Sequence, residues 1–168
     1  VRVPFVMRWP AKIVGGRTIR EPVIGTDFYP TFLAAAGSAT PEDHVLDGVN
    51  LAPLFGEGGA LERDAIFWHF PAYLEWGKKA PRPFRTRPAS AVRVGKFKLI
   101  EFFEDGRLEL YDTDADEGET RNIAEAHPER VKAMQARLVA WRAATGAFVP
   151  TEKNPKFDAA ALAERQGD

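Results

Sequence analysis

Five cations, Lys78, Lys79, Arg82, Arg85 and Arg87, lie in the stretch PAYLEWGKKAPRPFRTRPAS, in which Glu75 is the one acid. Phe70, Tyr73, Trp76 and Phe84 are interleaved with them. Cations gathered on one loop raise the local concentration of anionic ligands, and aromatic faces stack on sugar or aryl rings. His69, at the loop entrance after Trp68, is a candidate donor to a ligand oxygen. A lone histidine beside a tryptophan is more often structural, and the loop composition equally suits a solvated segment with a few packed aromatics. Both readings stay open. The candidate ligand-contacting set is therefore His69, Tyr73, Arg82, Arg85 and Arg87.

Other chemistry is harder to assemble. In DTDADEGETRNI, Asp112, Asp114 and Asp116 occupy alternate positions, as in a calcium loop. The sixth position is Glu117 where glycine is needed, and the twelfth is Ile123 where a bidentate glutamate is needed, so a solvated turn is expected instead. The chain has no cysteine, which removes disulfides, thiolate zinc sites and thiol catalysis from these residues. His44, His69 and His127 are widely separated, without metal-ligand spacing. Ser38 and Ser90 sit in neither a G-x-S-x-G elbow nor an S-x-x-K context, and no phosphate-binding glycine pattern occurs. No complete active site can be built from these residues, and none of them is a metal ligand by pattern.

The elements that must position the loop follow from periodicity. VRVPFVMRW alternates apolar Val1, Val3, Phe5, Met7 and Trp9 with mostly polar or ring-constrained residues, the period of a strand with one buried face. Such a strand needs partners for its backbone groups, and they are expected upstream of Val1. Pro22 to Ile24 is a second extended apolar run. TDFYPTFLAAAG reads as a helix capped by Thr26 or Asp27, stopped at Gly37, with Phe28, Phe32, Leu33 and Ala36 on an apolar flank. That helix and the opening strand are expected to expose apolar surface and to promote association. The Gly56 to Gly59 cluster marks a plausible boundary.

Beyond Arg63 the pattern becomes β. AIFWHF is a short strand candidate, and ASAVRVGKFKLIEFFEDGRLELYD carries a hairpin signal at Asp105-Gly106 and a weaker turn at Gly95-Lys96. Residues 64–112 are expected to form an antiparallel meander of three or four strands. AHPERVKAMQARLVAWRAATG then predicts a helix at about 128–145, with Pro128 at N1 and Gly146 at its end. Val131, Met134, Leu138 and Trp141 form its apolar stripe. The expected division is 1–63, 64–150, and an extended tail 151–168. A net charge of −1 gives no reason to expect nucleic acid, and no stretch approaches the ~18 apolar residues of a membrane span.

In order along the chain, the motifs resemble those of the formylglycine-dependent sulfatases, the arylsulfatase family of the alkaline phosphatase superfamily. VRVPFVMRWPAKIVGG is similar to that family's G-x-R-V-P-x-I-x-R-W-P-G segment, and TDFYPTFLAAAG to its V-D-x-x-P-T-L-L-x-L-A-G helix. LDGVNLAPLFGE, WHFPAY, PASAVRVGKFKLI, LELYDTDADEGETRNIAE and NPKFD follow in the family's order. Ala11, Asn50 and Glu117 depart from the usual glycine, serine and proline.

The resemblance implies an α+β fold: the end of a large α/β sulfatase domain, here a strand plus a helix, then a small antiparallel sheet packed by one C-terminal amphipathic helix. It implies a sulfuric ester hydrolase acting on aryl or carbohydrate sulfates. The nucleophile, oxidised to formylglycine in a C/S-x-P-x-R motif, and the Asp, Asp, Asp and Asn ligands of Ca2+ belong to an N-terminal domain of the same polypeptide. This chain carries neither motif, since Asp43-His44 is followed by Val45. The piece alone is thus expected to bind no cofactor, to be inactive, and to help wall the cleft for a sulfated small molecule or polysaccharide. Bacterial members of the family are commonly exported, which implies a periplasmic or extracellular location. A non-catalytic carbohydrate- or protein-binding module, or part of a related phosphatase or phosphonate hydrolase, are the alternative readings.

Overall fold

The computed structural model of the protein describes residues 3–75, 84–152 and 155. They divide between two compact units, Val1–Asp64 and Ala65–Asp168.

In the first unit a 3-10 turn, Gly25–Asp27, leads into helix α1, Phe28–Ala35, and a second 3-10 turn spans Ala52–Phe55. Asp27 stands at the N-cap of α1, yet its side chain makes no capping bond. The fully buried carboxylate instead accepts the Ile24 amide (2.8 Å), the Val49 amide (3.0 Å) and both Arg63 guanidinium nitrogens (2.6 and 3.0 Å). One turn later, the Thr31 hydroxyl donates to the Asp27 carbonyl and accepts the Leu51 amide at 2.9 Å. Residues 49–51 are thereby fastened to α1 by side chains that share a helix face. A Cβ on Gly48 would lie 2.1 Å from the Thr26 carbonyl oxygen, so only glycine fits where the loop approaches α1. The C-terminus closes as expected: Gly37 takes φ +70, its amide donates to the Ala34 carbonyl, and the Ser38 amide donates to the Leu33 carbonyl. That is a Schellman closure.

Two expectations for α1 change here, its cap and its apolar flank. The Thr26/Asp27 cap is not made, because the arginine and two loop amides compete for the carboxylate. Residues 3–9 have no strand pairing, since a ladder needs a neighbour and none of the described residues supplies one. Their alternation survives in part: Phe5 packs on Phe28 (5.0 Å between ring centroids) and Trp9 meets Phe55 edge-on (5.9 Å), whereas Val6 is 89% exposed. Pro22 to Ile24 is likewise outside any strand. The buried face of α1 is Pro30 and Thr31, while Phe32 remains 60% exposed.

The second unit is a four-stranded antiparallel sheet in the order β1-β4-β5-β6 with a separate two-stranded ribbon, β2-β3. The strands are β1 (Ile66–Phe70), β2 (Leu74–Glu75), β3 (Phe84–Thr86), β4 (Ala89–Val94), β5 (Phe97–Phe102) and β6 (Leu108–Asp112), followed by helix α2 (Pro128–Thr145). Registers Phe67↔Val92, Val92↔Leu99 and Leu99↔Leu110 place one apolar residue from each strand in a single row. Met134 and Leu138 of α2 close over it, with Val131 and Trp141 at the margins. The Trp141 ring stacks flat on Phe67, centroids 4.9 Å apart. Glu101 on β5 accepts from Gln135 and Arg142, pinning the helix along the sheet. The Gly95-Lys96 turn is the tighter hairpin, Val94 pairing directly with Phe97, and the Asp105-Gly106 connection is a longer loop from 103 to 107.

The acidic segment after β6 is more ordered than a solvated turn. The Asp112 carboxylate pairs with Lys96 (2.7 Å) and accepts the Asp114 and Ala115 amides. Asp116 accepts the Arg121 and Thr120 amides, and these bonds hold its pKa below the ordinary carboxylate range. Glu119 adopts φ 53, unfavourable for a side-chain-bearing residue, and grips buried Lys98 with both oxygens (2.6 and 2.8 Å). The Asn122 side-chain oxygen accepts the Leu110 amide and the Ile123 amide donates to the Leu110 carbonyl, so the outer edge of β6 is closed at that residue.

The Lys98–Glu119 pair carries a stability test. Glu119→Ala strands a buried ammonium and should destabilise the fold by about 2–4 kcal/mol. Replacing Lys98 with Met in the same variant should recover part of that loss. Urea midpoints of the single and double variants check it; equal losses in both would contradict the pairing account.

Candidate functional site

Residues Phe70, Ala89 and Phe102 are successive partners across β1, β4 and β5. The connection 71–88 and the hairpin loop 103–107 therefore leave the sheet at the same end. Tyr73, just before the ribbon, Arg85 within β3 and Arg87 just after it belong to the first connection; Glu104 belongs to the second. The Tyr73 hydroxyl donates to Glu104 Oε1 at 2.7 Å, and Arg87 Nη1 donates to Glu104 Oε2 at 3.0 Å. One carboxylate thus joins two members of the sequence-predicted set. The side chains of Arg87 and Glu104 keep 50% and 30% of their exposure. Arg85 is exposed. Arg82, together with Lys78, Lys79 and Trp76, lies outside the described residues.

Glu104 was missed because sequence counting along 71–90 finds only Glu75. The available signal was the hairpin itself: an acid beside Asp105-Gly106 is returned by the turn to the end of the sheet from which the cationic loop departs. The charge balance of this surface is correspondingly less positive than the loop composition implies.

His69 takes a different position. It faces Ser90 across the β1–β4 pair, with Nδ1 2.7 Å from the Ser90 hydroxyl, and Nε2 is 2.7 Å from the Phe148 carbonyl. A carbonyl only accepts, so Nε2 carries the proton and, in the neutral ring, Nδ1 accepts from Ser90. Phe103 and Trp141 pack near the imidazole, at 5.7 and 6.4 Å. The ring ties the sheet to the segment after α2. Although serine and histidine are hydrogen-bonded, Ser90 is 1% exposed and offers no path for a substrate to its oxygen.

No three His, Cys, Asp or Glu side chains among the described residues converge as a metal site would require. What the Tyr73–Glu104–Arg87 cluster can do chemically is recognise: a guanidinium for an anion and an aromatic face for a ring. Among the described residues no helix is long and apolar enough to cross a membrane.

Partial burial, the bond to Glu104 and its negative charge together push the Tyr73 phenol up to about 12. An unfolded tyrosine loses its proton near ~10. The stabilisation from the neutral phenol is therefore complete below pH ~10 and is lost as pH rises towards 12. Ultraviolet phenolate titration should show two late-titrating tyrosines, Tyr73 and Tyr111, the latter raised by burial and its bond to Glu109. The earlier of the two transitions, that of Tyr73, should disappear in Tyr73→Phe. In Glu104→Gln Tyr73 should titrate earlier, returning part of the way, because burial remains. An unchanged Tyr73 transition in Glu104→Gln would exclude the carboxylate as a cause.

Comparison with known proteins adds the following. Residues 1–144 match the family described as N-sulphoglucosamine sulphohydrolase, C-terminal. A sulfatase of Formosa agariphila is 30% identical over 156 residues, covering 84% of this chain and 27% of the relative. An N-acetylglucosamine-6-O-sulfatase of Bacteroides thetaiotaomicron is 32% identical over 126 residues, covering 73% of this chain and 21% of the relative. The solved structure of BT4656 in complex with its substrate D-glucosamine-2-N,6-O-disulfate superposes with a TM-score of 0.57 at 29% identity, over 76% of this chain and 25% of that one. Ps i-CgsB reaches 0.61 at 23% identity, over 79% and 27%, a likeness of fold alone. The chain spans about a quarter of the length of the relatives it matches.

Proposed function

The chain belongs to the sulfatase family as a C-terminal region of the N-sulphoglucosamine sulphohydrolase type, and from that premise we propose that it walls the substrate cleft of a sulfuric ester hydrolase. The nucleophile, its formylglycine and the Ca2+ ligands would be supplied by an N-terminal catalytic domain of the same polypeptide. The present residues contribute recognition of the organic part of a sulfated molecule, with a sulfated amino sugar or its polymer as the favoured substrate class. Named relatives acting on N-acetylglucosamine 6-O-sulfate and on glucosamine disulfate support that class. The piece alone has no hydrolytic activity in this reading, and the exported location implied by the resemblance belongs to it too.

The observation that carries the proposal is the convergence of Tyr73 and Arg87 at one end of the sheet, on a chain matched to this family over residues 1–144. Arginine and an aromatic ring, brought together on Glu104 where two loops leave one end of the sheet, suit a sulfate group attached to a sugar. The division at 63/64 is part of the same reading, with the first segment completing the catalytic domain and the second forming the wall.

Replacing Arg82, Arg85 and Arg87 by alanine in the polypeptide that joins this chain to its upstream domain tests the role. KM for a polymeric sulfated substrate should rise roughly tenfold, since each charge-assisted bond is worth about 1.5–3 kcal/mol before solvent screening. The turnover number should change little, because binding away from the reacting bond is uniform between ground and transition state. Sulfate release from a small aryl sulfate should be unaffected. An unchanged KM on the polymer would remove the substrate-wall role, and no sulfate release at all by the intact polypeptide would favour a non-catalytic binding module.

A further inference from the structure

We propose that Glu104 is an internal counter-anion, holding Arg87 until the sulfate of an incoming ligand takes its place. The proposal rests on the reading that this end of the sheet meets the sulfated substrate. It deepens that reading by assigning the residue that sets the threshold for binding.

The geometry separates this pair from the latches that hold the fold. Arg63 engages Asp27 through both guanidinium nitrogens, with side-chain exposures of 12% and 0%, and Lys98 and Glu119 keep 8% and 25%. Arg87 and Glu104 meet at 3.0 Å with 50% and 30% exposure, and among the described residues the contact uses Nη1 alone. A guanidinium fork accommodates two oxygens of a sulfate side by side. The carboxylate uses only part of that capacity, in a place open to water where exchange costs little.

Tyr73 gives the exchange a resting position. Its hydroxyl holds the other Glu104 oxygen at 2.7 Å, so the carboxylate can release Arg87 and remain bonded to the phenol. While Glu104 stays on Arg87, a sulfate arriving there meets a second anion within a few ångströms, and like charges at that distance oppose binding. The acid therefore selects against a lone inorganic anion. It favours a ligand whose ring contacts or further sulfates supply the difference.

The test uses the intact polypeptide with its upstream nucleophile substituted, so that ligand is bound and not consumed. Affinity for a heparin-derived tetrasaccharide and for inorganic sulfate is measured by calorimetry at fixed ionic strength. Glu104→Gln should bind the tetrasaccharide roughly two- to fivefold more tightly, the worth of an exposed ion pair, and should narrow its preference over inorganic sulfate. The same substitution in an Arg87→Ala background should bring no gain. Glu104→Ala is the second variant, with circular dichroism establishing that each is folded. If Arg87→Ala weakens binding but both Glu104 variants bind no better than the parent, the counter-anion proposal is overturned and the recognition reading stands. If Arg87→Ala itself leaves affinity unchanged, the recognition reading falls, and the proposal with it.

Discussion

Phe67, Val92, Leu99 and Leu110 come from four different strands, yet the register sets them in one row, and helix α2 buries that row with Met134 and Leu138. Everything at the ends of the sheet depends on this alignment. Side chains alternate with a period of two, so slipping any strand by one residue would turn its apolar member to the opposite face and expose it. The cost of that exposure fixes the register. The register in turn decides that Phe70, Ala89 and Phe102 lie side by side, and hence that the 71–88 connection and the 103–107 hairpin emerge together. Tyr73, Arg87 and Glu104 meet because a hydrophobic row some residues away cannot shift.

Ionic groups do a second job, which is to hold irregular backbone where no ladder can. In the first unit, buried Asp27 collects two loop amides and Arg63, and the threonine one turn further on takes a third amide. In the second, Lys98 retains Glu119 in a left-handed conformation, and Asp116 and Asn122 satisfy amides around it. A buried ion pair is a poor source of net stability beside apolar packing. Its value in these places is directional: it tells a loop of glycines and acids which of many conformations to keep. The exposed Arg87–Glu104 pair obeys the opposite logic, which makes it exchangeable and suits it to a ligand.

What was legible in the residues themselves follows the same division. Helix α2 was legible to the residue because its signals are local: proline at N1, a spaced apolar stripe, glycine at the end. The strands of the sheet were legible from alternation and turn glycines. The cap on α1 is not made because the preference of aspartate for an N-cap is a weak local term, and a half-buried arginine 36 positions away competes for the buried carboxylate. For His69 the sequence left open a donor to a ligand oxygen and a structural role, and only the fold supplies its bonds to Ser90 and to the Phe148 carbonyl, partners 21 and 79 positions distant. Glu104 went unnoticed since its meaning lies wholly in the neighbours that the hairpin gives it.

The amino-acid sequence by itself determined helix α2 and the strands of the four-stranded sheet, the absence of cysteine chemistry, and the ordered motifs that identify the family. These are short-range properties: backbone preferences, periodicity and residue type act within a few positions. Tertiary structure alone decided which charges are paired, which acid faces Arg87, and whether a histidine is free to serve a ligand. Those depend on through-space distances between residues remote in the chain, and such distances exist only once burial of the apolar row has set the register.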